Sequence, residues 1–300
     1  MLKIAWSPVY KYELPEGHRF PMVKYELIPE QLQYEGTAGT DNFFHPDPLP
    51  EQVALLTHTK EYWDKLTQVR LSEKEIRAIG FPINEKFVHR GRHIANGTLQ
   101  CALYAQTYGC AMNIAGGTHH AFAGHGEGYC CFNDQAVAAN YLLNNHLAKK
   151  ILIVDLDVHQ GNGTASIFRN EPRVFTFSMH GERNYPLRKE QSSLDIGLPD
   201  GMTDAPYLDI LRDTLPRIAD VFQPDFIFYL SGVDILATDQ LGRLQISREA
   251  CRERDRFVLS FCKQHRIPVA VSMGGGYSRR IADIVEAHAN TFRMAQEVFF

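Results

Sequence analysis

The sequence lacks several features that would mark another class of protein. Its six cysteines, Cys101, Cys110, Cys130, Cys131, Cys251 and Cys262, form no Cys-x-x-Cys pair. That pattern argues against a structural metal knuckle and fits free thiols in a reducing compartment. Neither sign of charge dominates: the formal net charge is −4. The chain therefore has no electrostatic footprint for nucleic acid, and no basic run marks a nuclear signal or an anionic membrane surface. No apolar stretch approaches membrane-spanning length, and Met1-Leu2-Lys3-Ile4 leads into a strand-like segment with no signal core and cleavage site. The expected setting is cytoplasmic, with neither nucleic acid nor membrane as partner. Internal repeats and low-complexity segments are also missing.

What is present is ample material for a core: 300 residues, 44% hydrophobic and 22% charged. Length alone would allow two domains at about 150 residues each, but no linker divides the chain, so a single domain over 1–300 is expected. Short apolar runs at 3–6, 111–115, 151–157, 174–178, 226–231 and 269–273 read as strands. Between them, 92–108, 134–147, 205–222, 247–265 and 279–298 carry helical spacing, with Asn133 or Asp134 and Ser247 as caps. The segment 15–50, rich in proline, shows no clear strand and is expected to be helical or irregular decoration near a pocket rim. This alternation predicts an α/β fold, a mainly parallel sheet with helices on both faces and the site in loops beyond the strand carboxyl ends.

Four separated stretches carry the chemistry: Gly116-Gly117-Thr118-His119-His120, Asp155 to Asn162, Gly232-Val233-Asp234 and Gly274-Gly275-Gly276-Tyr277. If the run from Ile151 continues as a strand, Asp155, Asp157 and His159 share one face, opposite Val154, Leu156 and Val158. A lone Asp there would be an ordinary helix cap. Three such groups on one face of an apolar strand need partners or a metal. Asp234 follows a similar apolar run. His159, Asp157 and Asp234 together offer one imidazole and two carboxylates with a position left for water, as in catalytic zinc sites; ferrous iron suits the same N/O donors.

Through these stretches the sequence resembles the zinc-dependent histone deacetylase family, on the three-layer arginase/deacetylase fold, from Trp6-Ser7-Pro8 to the closing helix. Asp157-Val158-His159-Gln160-Gly161-Asn162-Gly163, Asp234-Ile235-Leu236, Leu241-Gly242-Arg243-Leu244 and Gly275-Gly276-Tyr277 read like its fourth-class (class IV) branch. The resemblance implies a zinc-dependent amidohydrolase that removes acyl groups from lysine, and for that branch groups longer than acetyl. His119 would be oriented by Asp155 and His120 by Asn162, a position that is Asp in several relatives, and Tyr277 would stabilise the oxyanion. Tyr129 and, more approximately, Tyr185 would wall a tunnel, with the Gly128 carbonyl binding the substrate amide. A potassium ion would sit on Asp155, Asp157, His159, Ser178 and Met179, largely through carbonyls. Arginase relatives bind two manganese ions with an Asp where Gly161 stands here, so one catalytic metal is expected. The polyamine-deacetylating branch presents a Glu where this chain has Leu241, which favours an acyl-lysine protein or peptide over a small acylated amine. A catalytically silent binding module ranks last, since no ligand, His or Tyr is missing. Nothing in the sequence bears on oligomeric state.

Overall fold

A computed structural model describes residues 1–300. The strands are β1 (Lys3–Ala5), β2 (Phe43–Phe44), β3 (Cys110–Asn113), β4 (Ile151–Asp155), β5 (Val174–Gly181), β6 (Leu194–Leu198), β7 (Phe226–Leu230) and β8 (Val269–Ser272). All pair in parallel, in the order β2-β1-β3-β8-β7-β4-β5-β6. The helices are α1 (Lys24–Tyr34), α2 (Glu51–Ala54), α3 (Lys60–Thr67), α4 (Glu73–Ile79), α5 (Glu85–Tyr108), α6 (Asp134–Asn144), α7 (Asn162–Phe168), α8 (Asp204–Phe222), α9 (Arg248–His265) and α10 (Ile281–Phe299).

Every residue of β3, β4, β7 and β8 is buried, which is why these strands read as continuous apolar runs. Their side chains alternate between two apolar bodies. Leu152, Val154, Ile227 and Tyr229 pack with Leu211 of α8, Leu259 of α9 and Ile284 of α10. Ile151, Ile153, Phe226 and Phe228 pack with Leu99 of α5 and Leu142 of α6. A sheet covered on both faces results, the expected three-layer α/β architecture. Asn133 caps α6 by accepting from Ala136 N–H at 3.0 Å, and Ser247 caps α9 by accepting from Ala250 N–H at 3.1 Å.

Three expectations need correction. β4 stops at Asp155 rather than reaching Asp157, so Asp155, Asp157 and His159 do not share a strand face. Carboxylates capture the next backbone donors: Asp155 Oδ1 accepts from Asp157 N–H (3.2 Å), Asp234 Oδ1 from Val158 N–H (3.0 Å) and Asp157 Oδ1 from His159 N–H (3.0 Å). Those donors are lost to the ladder and the chain turns out of the sheet. The segment 15–50 holds helix α1, in line with its helical or irregular reading, but also the two-residue edge strand β2, which was not expected. The half-exposed edge strand β6, of mixed composition, was also not foreseen.

Candidate metal centre

The register places the ends of four strands in one row, continued by Ser178 within β5: Asn113, Ser272, Leu230, Asp155 and Ser178 are successive Cα partners across β3, β8, β7, β4 and β5. The four motif stretches leave the first four of these ends side by side. This neighbourhood in the sheet, rather than proximity in sequence, brings them together. Asp134, the first residue of α6, holds the β3 loop: its carboxylate accepts from Gly117 N–H (3.1 Å), Thr118 N–H (2.8 Å), Thr98 Oγ1 (2.7 Å) and Ser272 Oγ (2.9 Å). His119 and His120 follow from that anchored loop, their ring centres 4.1 Å apart.

Asp157, His159 and Asp234 are all buried, with one donor atom from each lying within 4.8 Å of the others. His159 Nδ1 is 3.0 Å from Asp157 Oδ1 and 3.2 Å from Asp234 Oδ2. Asp234 Oδ2 is nevertheless fully buried without a hydrogen bond. Burial and the adjacent Asp157 raise Asp234 to about 7. Burial opposes charge on His159 too, but its contacts to Asp157 and Asp234 raise it to about 10. Two carboxylates at this spacing, one with an orphaned oxygen, fit a divalent cation between them. The N/O donor set is that of a three-ligand catalytic site. Below the cluster, buried Arg254 donates to the carbonyls of Gly232 (2.7 Å), Ser231 (3.2 Å) and Leu156 (3.3 Å), fixing both ligand loops.

The two imidazoles differ in charge. Burial disfavours protonating His119, but Asp155, whose Oδ2 lies 2.7 Å from its Nδ1, outweighs this and raises it to about 9. His120 contacts the neutral Asn162, Nδ1 to Oδ1 at 2.7 Å. Burial, together with His119 and His159, holds it well below the usual imidazole value.

Of these groups, His120 and His159 line a cavity of about 460 Å³, whose other walls include Gly128, Tyr129, Tyr185, Leu241 and Tyr277. Gly128 has φ 55°, and a Cβ there would lie 2.6 Å from His120 Cδ2, so the wall approaches the imidazole only as glycine. Tyr129 packs against Phe81, Phe20 and Tyr277. Tyr185 stands edge-on to His120, ring centres 4.9 Å apart. Tyr277 is fixed by its backbone N–H, which donates to Asp239 Oδ2 at 2.6 Å. A smaller chamber of about 50 Å³ continues inward between Gly116, Gly117, Ile94, Arg90 and Gly275. Ser178 and Met179 lie on β5 beside Asp155, outside both spaces, with Ser178 Oγ paired to His180 Nδ1 at 2.9 Å.

Sequence reasoning missed several participants. Glu127 accepts from Asn162 Nδ2 (2.6 Å) and from the Tyr185 hydroxyl (2.7 Å); its place one residue before Gly128 was the available signal. Lys24 of α1 is buried and donates to the Gly274 carbonyl at 3.3 Å, with burial lowering its ammonium to about 8. α4 supplies Arg77, Ala78 and Ile79 to the mouth, and Ser72-Glu73-Lys74-Glu75 was a legible capping box for it.

The fold and this centre define a deacetylase-type hydrolase. Residues 18–292 match the histone deacetylase domain, and the chain belongs to that family. It is 42% identical over 297 residues to an uncharacterized protein of Picosynechococcus sp., covering 99% of each. It is 30% identical over 282 residues to histone deacetylase 2 of Arabidopsis thaliana, covering 90% of this chain and 73% of that one. The solved structure of an HDAC homolog complexed with SAHA shares the fold with a TM-score of 0.86 at 24% identity, covering 99% of this chain and 84% of that chain.

Proposed function

We propose that this chain hydrolyses the amide bond of an Nε-acyl-lysine with one zinc ion held by Asp157, His159 and Asp234. The observation that carries this reading is the buried donor set of Asp157, His159 and Asp234 at the inner end of a cavity that His120, His159 and Tyr277 line. A bound metal would polarise the acyl carbonyl and lower the pKa of water toward about 7. His120 Nε2 takes the proton of the attacking water, and a histidine returns one to the departing amine. The Tyr277 hydroxyl, which burial keeps protonated, donates to the developing oxyanion. The Gly128 carbonyl accepts from the substrate amide while Tyr129 and Tyr185 flank the lysine stem.

A single catalytic metal is favoured because a side chain at Gly161 would collide with the Asp155 carboxylate. Beside it, the register of Asp155 with Ser178 supports a structural potassium ion on carbonyls of Asp155, Asp157, His159, Ser178 and Met179. Six free, buried cysteines suit the reducing cytoplasm.

The mouth supports acyl-lysine over acylpolyamine. Arg77, Arg183 and Arg243 line it alongside Leu241, with no carboxylate among the lining residues, and Arg183 and Arg243 share the single Asp200 at 3.9 and 3.2 Å. A polycation meets repulsion there. The inner chamber has room for roughly three to five waters, which favours acetyl or a similarly short group. The longer acyl groups implied by the fourth-class resemblance would require this chamber to widen. A kinetic panel on metal-loaded protein tests the reading. Catalytic efficiency should be highest on acetyl-lysine peptides, fall toward octanoyl-lysine and be lower on N-acetylspermidine. Preference for acetylspermidine over every acyl-lysine peptide would overturn it.

A further inference from the structure

We infer that Glu127 is a positioning residue that decides which nitrogen of His120 carries the proton. The inference rests on the proposed role of His120 as the base. Three contacts form a chain: His120 Nδ1 lies 2.7 Å from Asn162 Oδ1, Asn162 Nδ2 lies 2.6 Å from Glu127 Oε1, and the Tyr185 hydroxyl donates to that same oxygen at 2.7 Å.

An amide has a donor end and an acceptor end, and half a turn of its side chain exchanges them. Turned the other way, Asn162 would offer its NH₂ group to His120 Nδ1. That nitrogen would become the acceptor, and the proton would reside on Nε2, the atom that must receive one from water. Asn162 alone does not choose between these arrangements. Glu127 does, because a carboxylate oxygen only accepts. The reversed amide would set Asn162 Oδ1 against Glu127 Oε1, two acceptors within hydrogen-bond distance, at the cost of an unmade bond to a partly buried carboxylate. The carboxylate therefore fixes the amide, the amide fixes the proton on His120 Nδ1, and Nε2 keeps its lone pair for the reaction.

The arrangement also accounts for the pairing of residue types. An Asp at position 162 would accept from His120 in either orientation and need no partner. An Asn needs an acceptor behind it, and the loop supplies one immediately before Gly128. The charge is thereby one residue removed from His120, and the Tyr185 hydroxyl ties it to the cavity mouth.

The test is a cycle of variants in the full chain loaded with metal, assayed on an acetyl-lysine peptide. Glu127→Gln preserves size and one acceptor but permits either amide orientation. It should lower kcat by roughly ten- to a hundredfold, the usual effect of losing such an outer partner, with KM changed less than about twofold. In the Asn162→Asp background, where no amide remains to orient, Glu127→Gln should cost nothing or relieve repulsion between two carboxylates. Equal losses in both backgrounds, or no loss in either, would overturn the inference. Nitrogen-15 spectra of the His120 ring in metal-free protein give a readout independent of turnover. The wild type should show the Nδ1–H tautomer alone and Glu127→Gln a mixture; an unchanged single tautomer contradicts the role given to Glu127. If the wild type hydrolyses no acyl-lysine peptide, the functional proposal fails while the spectra still decide the part played by Glu127.

Discussion

Asp155 holds His119 by a contact of 2.7 Å between Oδ2 and Nδ1, and the loop that delivers His119 leaves no room for a side chain at Gly161 between them. A carboxylate therefore faces one imidazole of the pair and an amide faces the other. Burial would otherwise neutralise both; Asp155 keeps His119 charged while His120 stays neutral. Asp155→Asn keeps an acceptor in place but removes the charge. Turnover should fall on the order of ten- to a hundredfold with metal content unchanged. Activity within twofold of the wild type would remove the charged His119 from the account.

Tyr277→Phe removes the hydroxyl assigned to the oxyanion and leaves the ring against Phe20 and Tyr129. Loss of one such donor typically lowers kcat on the order of a hundredfold or more. Steady-state kinetics should show that loss in kcat with KM nearly constant. A variant whose KM rises while kcat holds would make Tyr277 a binding residue only.

Arg254 is fully buried and bonds Asp255 Oδ1 through Nε at 2.9 Å as well as the three loop carbonyls. Asp255 also accepts from Tyr229 and Thr291 hydroxyls. Arg254→Ala leaves this carboxylate buried without its counter-charge and removes the Arg254 donors from the carbonyls of Leu156, Ser231 and Gly232. The expected destabilisation is about 3–5 kcal/mol, read from the shift in denaturant midpoint. A change below about 1 kcal/mol would contradict the bracing role.

Much of this was legible in the sequence. Fully buried parallel strands read as apolar runs, so β3, β4, β7 and β8 were identifiable from pattern, while the roles of the motif residues beyond their ends followed from the family resemblance. The end of β4 was not, because Asp157 and Val158 give their N–H groups to side chains rather than to the ladder. α2 and α7 are too short for periodicity to register. Arg254 acts through carbonyls distant in the chain, and nothing local distinguishes it from an ordinary charged residue; Glu127 offered only its place before Gly128.

His58 gives a pH signature away from the metal cluster. Its Nε2 accepts from Asn133 N–H at 3.1 Å and its Nδ1 faces the Phe122 carbonyl at 3.1 Å, so only the neutral ring fits. Burial lowers its pKa from 6.5 to about 4. Above pH 6.5 both folded and unfolded forms are neutral and the stability is fully present. Between 6.5 and about 4 the unfolded chain alone binds the proton, so stability falls as pH falls, by about 3 kcal/mol in all. Denaturation of metal-free protein across this window should show His58→Gln with a slope shallower by one proton. Identical slopes would mean that His58 is protonated in the folded state.

The central claim, a mononuclear metallohydrolase acting on acyl-lysine, is tested most directly by titrating metal-free protein with zinc while following hydrolysis of an acetyl-lysine peptide. Activity should rise in proportion to added zinc and level off at about one equivalent per chain, and Asp234→Ala should neither retain zinc nor turn over. A plateau at two equivalents, or release of no acetate at any zinc level, would contradict it.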